Sequence, residues 1–328
     1  MKIGVLGTGS IAQTLSETFN SLEGVESYAI ASRNLDKAIA FKEKYGYQKA
    51  YGTYEELVKD ENVDLVYIAT PHSRHFMDMK LCIENHKAVL CEKAFCVNAK
   101  EAKQIQKLAN ENKVFVTEAL WPRYMPSRKL IDDVIESGII GKVNILTGNL
   151  AYIIYKIDRL VNPNLAGGAL LDVGVYGLNF ALMHFGSDIE RIETSVKFTE
   201  TGVDGMETIT LFYKDNRMAN LTHSLYSRSD RKGIIYGDKG YIVVENINNP
   251  NSIKIFDTND VLIKEVEIPK QISGYEYEIL ECKKCLEEGR IESYSMPLSE
   301  SVKLMEITDK IRNIWGLKYP FENETEDE

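Results

Sequence analysis

The sequence predicts an α/β protein in two domains: a doubly wound parallel sheet over residues 1–120, then, over 121–328, an α+β domain built on a large, mostly antiparallel, open-faced sheet. Three observations carry this. Apolar runs of strand length alternate with helical patterns from Lys2 to Thr117. Beyond Glu118 the alternation gives way to long polar–apolar strands that follow one another. The chain also opens on an apolar run that leads straight into Gly7, Thr8, Gly9, Ser10, Ile11 and Ala12.

Lys2 to Leu6 reads as a buried parallel strand, Ile11 to Phe19 as an amphipathic helix and Glu26 to Ala31 as a second strand, together one βαβ unit of ordinary length. Further strands are expected at Lys49 to Tyr51, Leu65 to Ala69, Ala88 to Cys91 and Val114 to Thr117. Helices are expected at Leu35 to Lys44, Arg74 to Asn85 and Ala99 to Asn112. That makes a sheet of about six strands whose right-handed crossovers leave the loops after the strands on one edge. In the second domain a helix from Ser127 to Glu136 and the glycines Gly138 and Gly141 precede strands at Lys142 to Tyr155, Ile189 to Glu200, Thr208 to Tyr213, Met218 to Leu225 and Lys232 to Val244. Gly167 to Gly177 opens a helix. Helices from Tyr275 to Glu288 and Ser299 to Trp315 close the fold, and Glu322 to Glu328 reads as a solvated acidic tail.

With 328 residues, 44% hydrophobic and 27% charged, the composition is that of a globular protein with room for two cores. A net charge of −10 with no basic tract excludes a protein that tracks phosphate backbones, so no nucleic-acid partner is expected. No apolar run reads as a membrane span and no signal peptide precedes the first strand, which predicts a cytoplasmic protein without a membrane partner. Five cysteines (Cys82, Cys91, Cys96, Cys282 and Cys285) make no disulfide framework. Cys282 and Cys285 form a Cys-x-x-Cys, but within a helical pattern and without a second pair to complete a metal site, so both are expected to be structural and no metal is expected.

The glycine-rich turn is the first chemical signal. Gly7 suits the sharp strand-to-helix turn, Gly9 lets backbone N–H groups approach a pyrophosphate, and Ala12 allows close helix–strand packing; Thr8, Ser10 and Ile11 complete the turn. In such units the end of the second strand, about 20 residues on, meets the adenine ribose. Here it ends at Ser32 and Arg33 rather than a carboxylate, which favours NADP over NAD. The competing reading makes Arg33 a loop residue beside Asn34, which starts the next helix.

Three more segments stand at element ends. Ala69, Thr70, Pro71, His72, Ser73, Arg74 and His75 leave a buried strand on the cofactor edge, where the histidines are either functional or exposed helix-start residues. Cys91, Glu92, Lys93 and Ala94 follow another buried strand, where a lysine can donate to a substrate oxygen with Glu92 orienting it, or simply form a surface pair. In Gly167 to Gly177, Asp172 and Tyr176 lie one turn apart on one helix face. A tyrosine serves as general acid or base only where a cation stabilises its phenolate; otherwise it packs.

The order Gly-x-Gly-x-x-Ala, Thr-Pro-x-x-x-His, Glu-Lys-x and Gly-Gly-Ala-Leu-Leu-Asp-Val-Gly-x-Tyr resembles the glucose–fructose oxidoreductase and inositol dehydrogenase superfamily over nearly the whole chain. Glu118-Ala-Leu-Trp121-Pro-Arg123-Tyr124-Met-Pro126, Arg159-Leu-Val-Asn162-Pro163 and Tyr176 resemble its dihydrodiol dehydrogenase branch. The resemblance implies an NADP-dependent oxidoreductase, with NAD as the alternative cofactor, acting on a secondary alcohol or carbonyl of a sugar, cyclic polyol or trans-dihydrodiol. It implies Lys93 and Tyr176 as the catalytic pair, Asp172 with Arg123 and Arg159 at the substrate, Trp121 and Arg123 lining the cleft, and Thr70, Pro71, His72, His75 and Glu92 on the cofactor side. A homodimer through the C-terminal sheet is implied too. Tyr152, Tyr155 and Asn162, like Arg159, read equally as substrate contacts or as rim and packing residues. Two residues depart from the pattern: Ala94 stands where the family has proline, and His72 where asparagine is common. A non-catalytic dinucleotide- or sugar-binding sensor is the rival reading, against which the joint presence of Lys93, Asp172 and Tyr176 counts.

Overall fold

The computed structural model describes residues 1–325. The chain divides into two compact units: Met1–Tyr124 with Gln271–Met305, and Met125–Lys270 with the segment from Glu306 onward. The first unit is thus built from two stretches of chain, whereas the sequence closes it at residue 120.

In the first unit β1 (Lys2–Leu6), α1 (Ser10–Asn20), β2 (Glu26–Ala31), α2 (Leu35–Tyr45), β3 (Lys49–Tyr51), α3 (Tyr54–Val58), β4 (Leu65–Ile68), α4 (His72–Glu84), β5 (Ala88–Glu92), α5 (Ala99–Asn112) and β6 (Val116–Ala119) form the expected six-stranded parallel sheet, in the order β3-β2-β1-β4-β5-β6. Its central strands are apolar on both faces because both are covered: every residue of β4 and β5 is buried. The short helix α3 escaped the sequence reading although its signal is there, a capping box in which Thr53 accepts from the Glu56 N–H and the Glu56 carboxylate accepts from the Thr53 N–H. The strand order reverses between β1 and β4, so the loops after these two strands part to opposite faces and leave a crevice at the sheet edge.

The returning stretch explains the discontinuity. Helix α9 (Glu276–Glu287) sets Ile279, Cys282 and Cys285 in the same core as Ile3, Val5, Phe19 and Tyr67. Both members of the Cys-x-x-Cys are therefore packing residues, and all five cysteines are buried free thiols.

The second unit opens with α6 (Pro126–Glu136), β7 (Val143–Ala151) and the single turn α7 (Asp158–Val161), followed by a π-turn over Leu170–Gly174 that runs into α8 (Val175–Phe185). Strands β8 (Ile189–Phe198), β9 (Asp204–Tyr213), β10 (Met218–Ser224), β11 (Gly233–Gly237), β12 (Gly240–Glu245), β13 (Ser252–Asp257) and β14 (Leu262–Val266) join β7 in an eight-stranded sheet ordered β14-β13-β12-β11-β7-β10-β9-β8. All its pairings are antiparallel except β7 with β10. The predicted strand Lys232 to Val244 is in fact the hairpin β11–β12, which folds back at Asp238 and Lys239, and β13 and β14 were not foreseen. One sheet face is buried through Leu146, Leu150, Ile209, Leu211, Ala219 and Leu221; the other leaves Ile145 and Met206 exposed.

The segment Pro163–Phe185 is long and apolar enough, by length and composition, to cross a membrane, a stretch that the sequence reading passed over. It is almost wholly buried as the core helix of the second unit. Helix α10 (Leu298–Trp315) is followed by a 3-10 helix at Pro320–Thr325. The acidic end is a solvated tail only in part: Arg312, itself buried, donates to both carboxylate oxygens of Glu322 at 2.8 and 3.0 Å, while residues 326–328 of that tail lie outside the described residues.

Candidate active site in two half-sites

The dinucleotide turn occupies the crevice beside β1. Gly7 has φ of +101°, its N–H donates to Ala31 O at 2.9 Å, and a Cβ there would stand 2.8 Å from Ala69 O. Only glycine meets that combination cheaply. Gly9 is different: it has ordinary dihedrals (φ −75°, ψ −178°), and the nearest atom a Cβ would meet is Ala69 O at 4.0 Å. Nothing within the protein demands a glycine there, whereas the close approach of an anionic ligand does. Gly9 also caps α1 without a side-chain hydrogen bond, and no acidic residue lies in the first helical turn of Ser10 and Ile11, so the positive end of the helix is open to an anion. These residues fit a dinucleotide pyrophosphate.

At the end of β2, Ser32 is buried and accepts from the Asn34 N–H at 3.3 Å, and Arg33 is exposed. Asn34 caps α2 by accepting from the Lys37 N–H at 3.1 Å. Asn34 thus starts the helix, as the competing reading has it, and the Arg33 side chain stands in solvent.

The Thr70 loop is fixed from within. The Thr70 hydroxyl donates to Asp78 Oδ2 at 2.7 Å and Arg74 to Asp78 Oδ1 at 2.8 Å, while Pro71 sets the extended entry into α4. His75 is fully buried, with Nδ1 2.7 Å from Ala94 O and Nε2 2.9 Å from Thr70 O. Burial outweighs these two carbonyls and lowers its pKa, so at neutral pH the ring donates to one carbonyl at a time. Its ring ties the Thr70 loop to the Lys93–Ala94 segment. His72 is buried with its ring edge-on to His75, centroids 5.7 Å apart, and is not the exposed helix-start residue of the blander reading.

Lys93 follows β5 directly, and its peptide bond to Ala94 is cis although no proline is present. Glu92 Oε1 accepts from the Tyr67 hydroxyl at 2.5 Å, and its Oε2 from the Lys93 N–H at 3.3 Å. Two further acids lie nearby in the same unit. Glu118 accepts from the Phe95 N–H at 3.0 Å and burial pushes its pKa up to about 7; Glu278 on α9 is fully buried and raised for the same reason. Trp121 stacks on Tyr275, rings 4.1 Å apart and 11° from parallel, and Arg123 is buried against Glu300 at 3.0 Å. Sequence reasoning missed Tyr275 and Glu300, because nothing local to them reports a partner so far along the chain.

The second half-site belongs to the other unit. Asp172 sits on the π-turn, buried, and accepts from Arg159 Nη1 at 3.1 Å; Tyr176 lies in the first turn of α8, also buried. Arg159 comes from α7, which places its half-exposed guanidinium over a buried carboxylate. Asn162 is spent as a cap on the Asn164 N–H at 3.0 Å. Tyr152 accepts from Asn248 at 3.5 Å, and Tyr155 packs on Tyr226 with ring centroids 5.3 Å apart. Around them Ile153 and Ile157 are exposed.

A family model described as an oxidoreductase family with an NAD-binding Rossmann fold matches residues 1–120, and a GFO/IDH/MocA C-terminal domain model matches residues 129–243. A mouse trans-1,2-dihydrobenzene-1,2-diol dehydrogenase is 32% identical over 333 residues, covering 98% of both chains. A 3-ketoreductase from Actinomadura kijaniata, solved with NADP and TDP-benzene, superposes with a TM-score of 0.87 at 21% identity, covering 95% of this chain and 97% of its own. An aldose–aldose oxidoreductase from Caulobacter crescentus, solved with glycerol, gives 0.85 at 19% identity, covering 95% and 96%. These two structural likenesses establish the fold.

The two glycines separate by substitution. Gly7→Ala carries left-handed strain of about 1–2 kcal/mol and lowers the melting temperature, whereas Gly9→Ala leaves melting unchanged and weakens NADP binding at least about tenfold. Calorimetry with NADP and a thermal melt read both; a Gly9→Ala protein that binds NADP normally would overturn the pyrophosphate assignment.

Proposed function

Because this chain belongs to the GFO/IDH/MocA oxidoreductase family, we propose that it is an NADP-dependent dehydrogenase or reductase acting on a secondary alcohol or carbonyl of a diol or sugar. The near-full-length similarity to a trans-1,2-dihydrobenzene-1,2-diol dehydrogenase carries this reading. The aldose–aldose oxidoreductase and the NADP-bound 3-ketoreductase support the sugar alternative and the cofactor. Exposed Ile153 and Ile157 beside the Arg159–Asp172 pair suit a substrate with a hydrocarbon body and a polar edge.

The bound dinucleotide supplies the hydride chemistry; the protein supplies position and proton transfer. Gly7 and Gly9 would admit the pyrophosphate at the end of α1, and Arg33 would receive the ribose phosphate. In oxidation Tyr176 takes the substrate hydroxyl proton, and in reduction it returns that proton to the developing alkoxide. The Lys93 ammonium lowers the cost of both the phenolate and the alkoxide. Asp172, held by Arg159, accepts from a neighbouring substrate hydroxyl and so fixes which carbon faces the nicotinamide.

Tyr176→Phe is expected to lower kcat by about 10²–10⁴-fold with NADP affinity kept, measured on trans-1,2-dihydrobenzene-1,2-diol and a panel of aldoses; near-normal turnover would sink the role of Tyr176. Tight NADP binding with no turnover of any diol or aldose by the unmodified protein would move the reading to a sensor. Arg33→Ala should cost about 1.5–3 kcal/mol of NADP binding and leave NAD binding untouched, and equal losses for both cofactors would remove the phosphate role. Self-association is assigned to the open face of the eight-stranded sheet, where Ile145 and Met206 are exposed. Sedimentation should show a dimer at micromolar concentration, and monomer alone would refute it.

A further inference from the structure

Beneath the segment that carries Asp172 and Tyr176 lies a polar cluster with no part in the reaction as described. Asp204 and Glu207 on β9 and His223 on β10 are each buried to 1% exposure or less. Asp204 Oδ2 accepts from the Leu170 N–H at 2.6 Å, on the first residue of the π-turn. Glu207 Oε1 lies 3.0 Å from His223 Nδ1. Asp204 Oδ1 and Glu207 Oε2 find no donor among the described residues, and burial raises both carboxyls towards the protonated form, which can itself donate.

The same three residues account for three glycines in Gly167 to Gly177. A Cβ at Gly168, where φ is +128°, would overlap Asp204 Oδ1; one at Gly174 would overlap Glu207 Oε1; one at Gly177 would overlap His223 Nε2. The glycines that the sequence presents as a motif are thus a bare backbone strip laid on an acid–acid–imidazole surface, touched before, within and after the stretch from Asp172 to Tyr176. A π-turn widens the helix by one residue and needs something to specify it. Apolar packing fixes such a turn poorly because it slides, whereas hydrogen bonds are directional.

We propose that Asp204, Glu207 and His223 are positioning residues that hold the π-turn in register and thereby place Asp172 and Tyr176 for chemistry. This rests on the reading of those two side chains as the substrate-binding and proton-transfer groups. In the cluster protonated Asp204 donates to Glu207, the Nδ1–H of neutral His223 donates to Glu207 Oε1, and Asp204 Oδ2 remains an acceptor for Leu170. Burial drives all three towards their neutral forms, raising Asp204, pushing Glu207 up to about 8 and lowering His223 to about 3. Tyr319, whose hydroxyl donates to Gly167 O at 2.7 Å, faces the cluster from the C-terminal segment, with Arg312 beyond it, 5.0 Å from the Tyr319 ring centroid. Two acids whose pKa is raised by folding bind more protons folded than unfolded, so their contribution to stability falls as pH rises from about 4.5 to about 8.

Asp204→Asn and Asp204→Leu separate positioning from packing. Asparagine keeps an acceptor for Leu170 and supplies a permanent donor to Glu207; leucine does neither. By hydrogen-exchange mass spectrometry of the cofactor-free protein, Asp204→Leu should exchange faster over residues 168–178 with the Gly7 turn unchanged, and Asp204→Asn should match the wild type. The asparagine variant should also lose melting temperature less steeply than the wild type between about pH 4.5 and 8. In turnover of trans-1,2-dihydrobenzene-1,2-diol with NADP, Asp204→Leu should lose about tenfold to hundredfold in kcat with NADP affinity unchanged, and Asp204→Asn should restore it. Wild-type exchange and wild-type kcat in Asp204→Leu would overturn the proposal. Should the leucine variant fail to fold, the paired change decides: Gly177→Ala should speed exchange over 168–178, and adding His223→Ala should reverse that, an absence of reversal counting against the cluster. A Tyr176→Phe protein that turns over normally would remove the catalytic reading alone, since the exchange data judge the cluster without it.

Discussion

A parallel sheet exists only where both of its faces are covered, and that requirement shapes the first unit. Helices from the alternating part of the chain cover most of β1 to β6, and the remaining cover comes from α9, more than a hundred and fifty residues later in sequence. Once both faces are sealed, only the strand ends remain for chemistry. The glycine turn, the Thr70 loop and the Lys93 segment all emerge at that edge, and Tyr275 and Glu300 reach Trp121 and Arg123 because α9 and its neighbours were recruited to close the core. Cover and site come from the same segment.

Most of the first unit was legible because its signals are local. Strand and helix periods, Gly7 with its positive φ, the Asn34 cap and the buried Cys-x-x-Cys helix each follow from residues within a few positions of one another. What escaped was non-local or aperiodic. The hairpin at Asp238 and Lys239 reads as one long strand because both arms are apolar, and β13 and β14 are short strands of six and five residues at one end of the sheet. The π-turn cannot be seen from spacing, since Asp172 and Tyr176 keep nearly the same face with or without it. The site residues were legible as a pattern, but their partners were not. His75 reads as a cofactor residue and is seen to bridge two loops; His223 reads as an ordinary strand residue, and Asp204 and Glu207 fall before the strand expected from Thr208.

Buried acids recur in both units, each time behind a segment bearing a candidate catalytic side chain. Glu92 and Glu118 accept from backbone N–H groups of Lys93 and Phe95, and Asp204 from that of Leu170. Burying carboxyls costs more than burying leucines of similar size, and what they return is direction. A carboxyl that accepts a main-chain N–H fixes a turn that has no regular ladder to hold it, which is the situation of the backbone at Lys93–Ala94 and again at the π-turn.

The two-stretch build of the first unit bears on how the protein is made. Residues 1–124 leave the ribosome with part of their core still open, and the helix that completes it is synthesised only after the whole intervening unit, a delay on the order of ten seconds or more. The core that α9 completes stays open during that time. A chain terminated anywhere before α9 would carry the nucleotide motif in its sequence and expose the apolar face of Ile3, Val5 and Phe19 to whatever else is unfolded nearby.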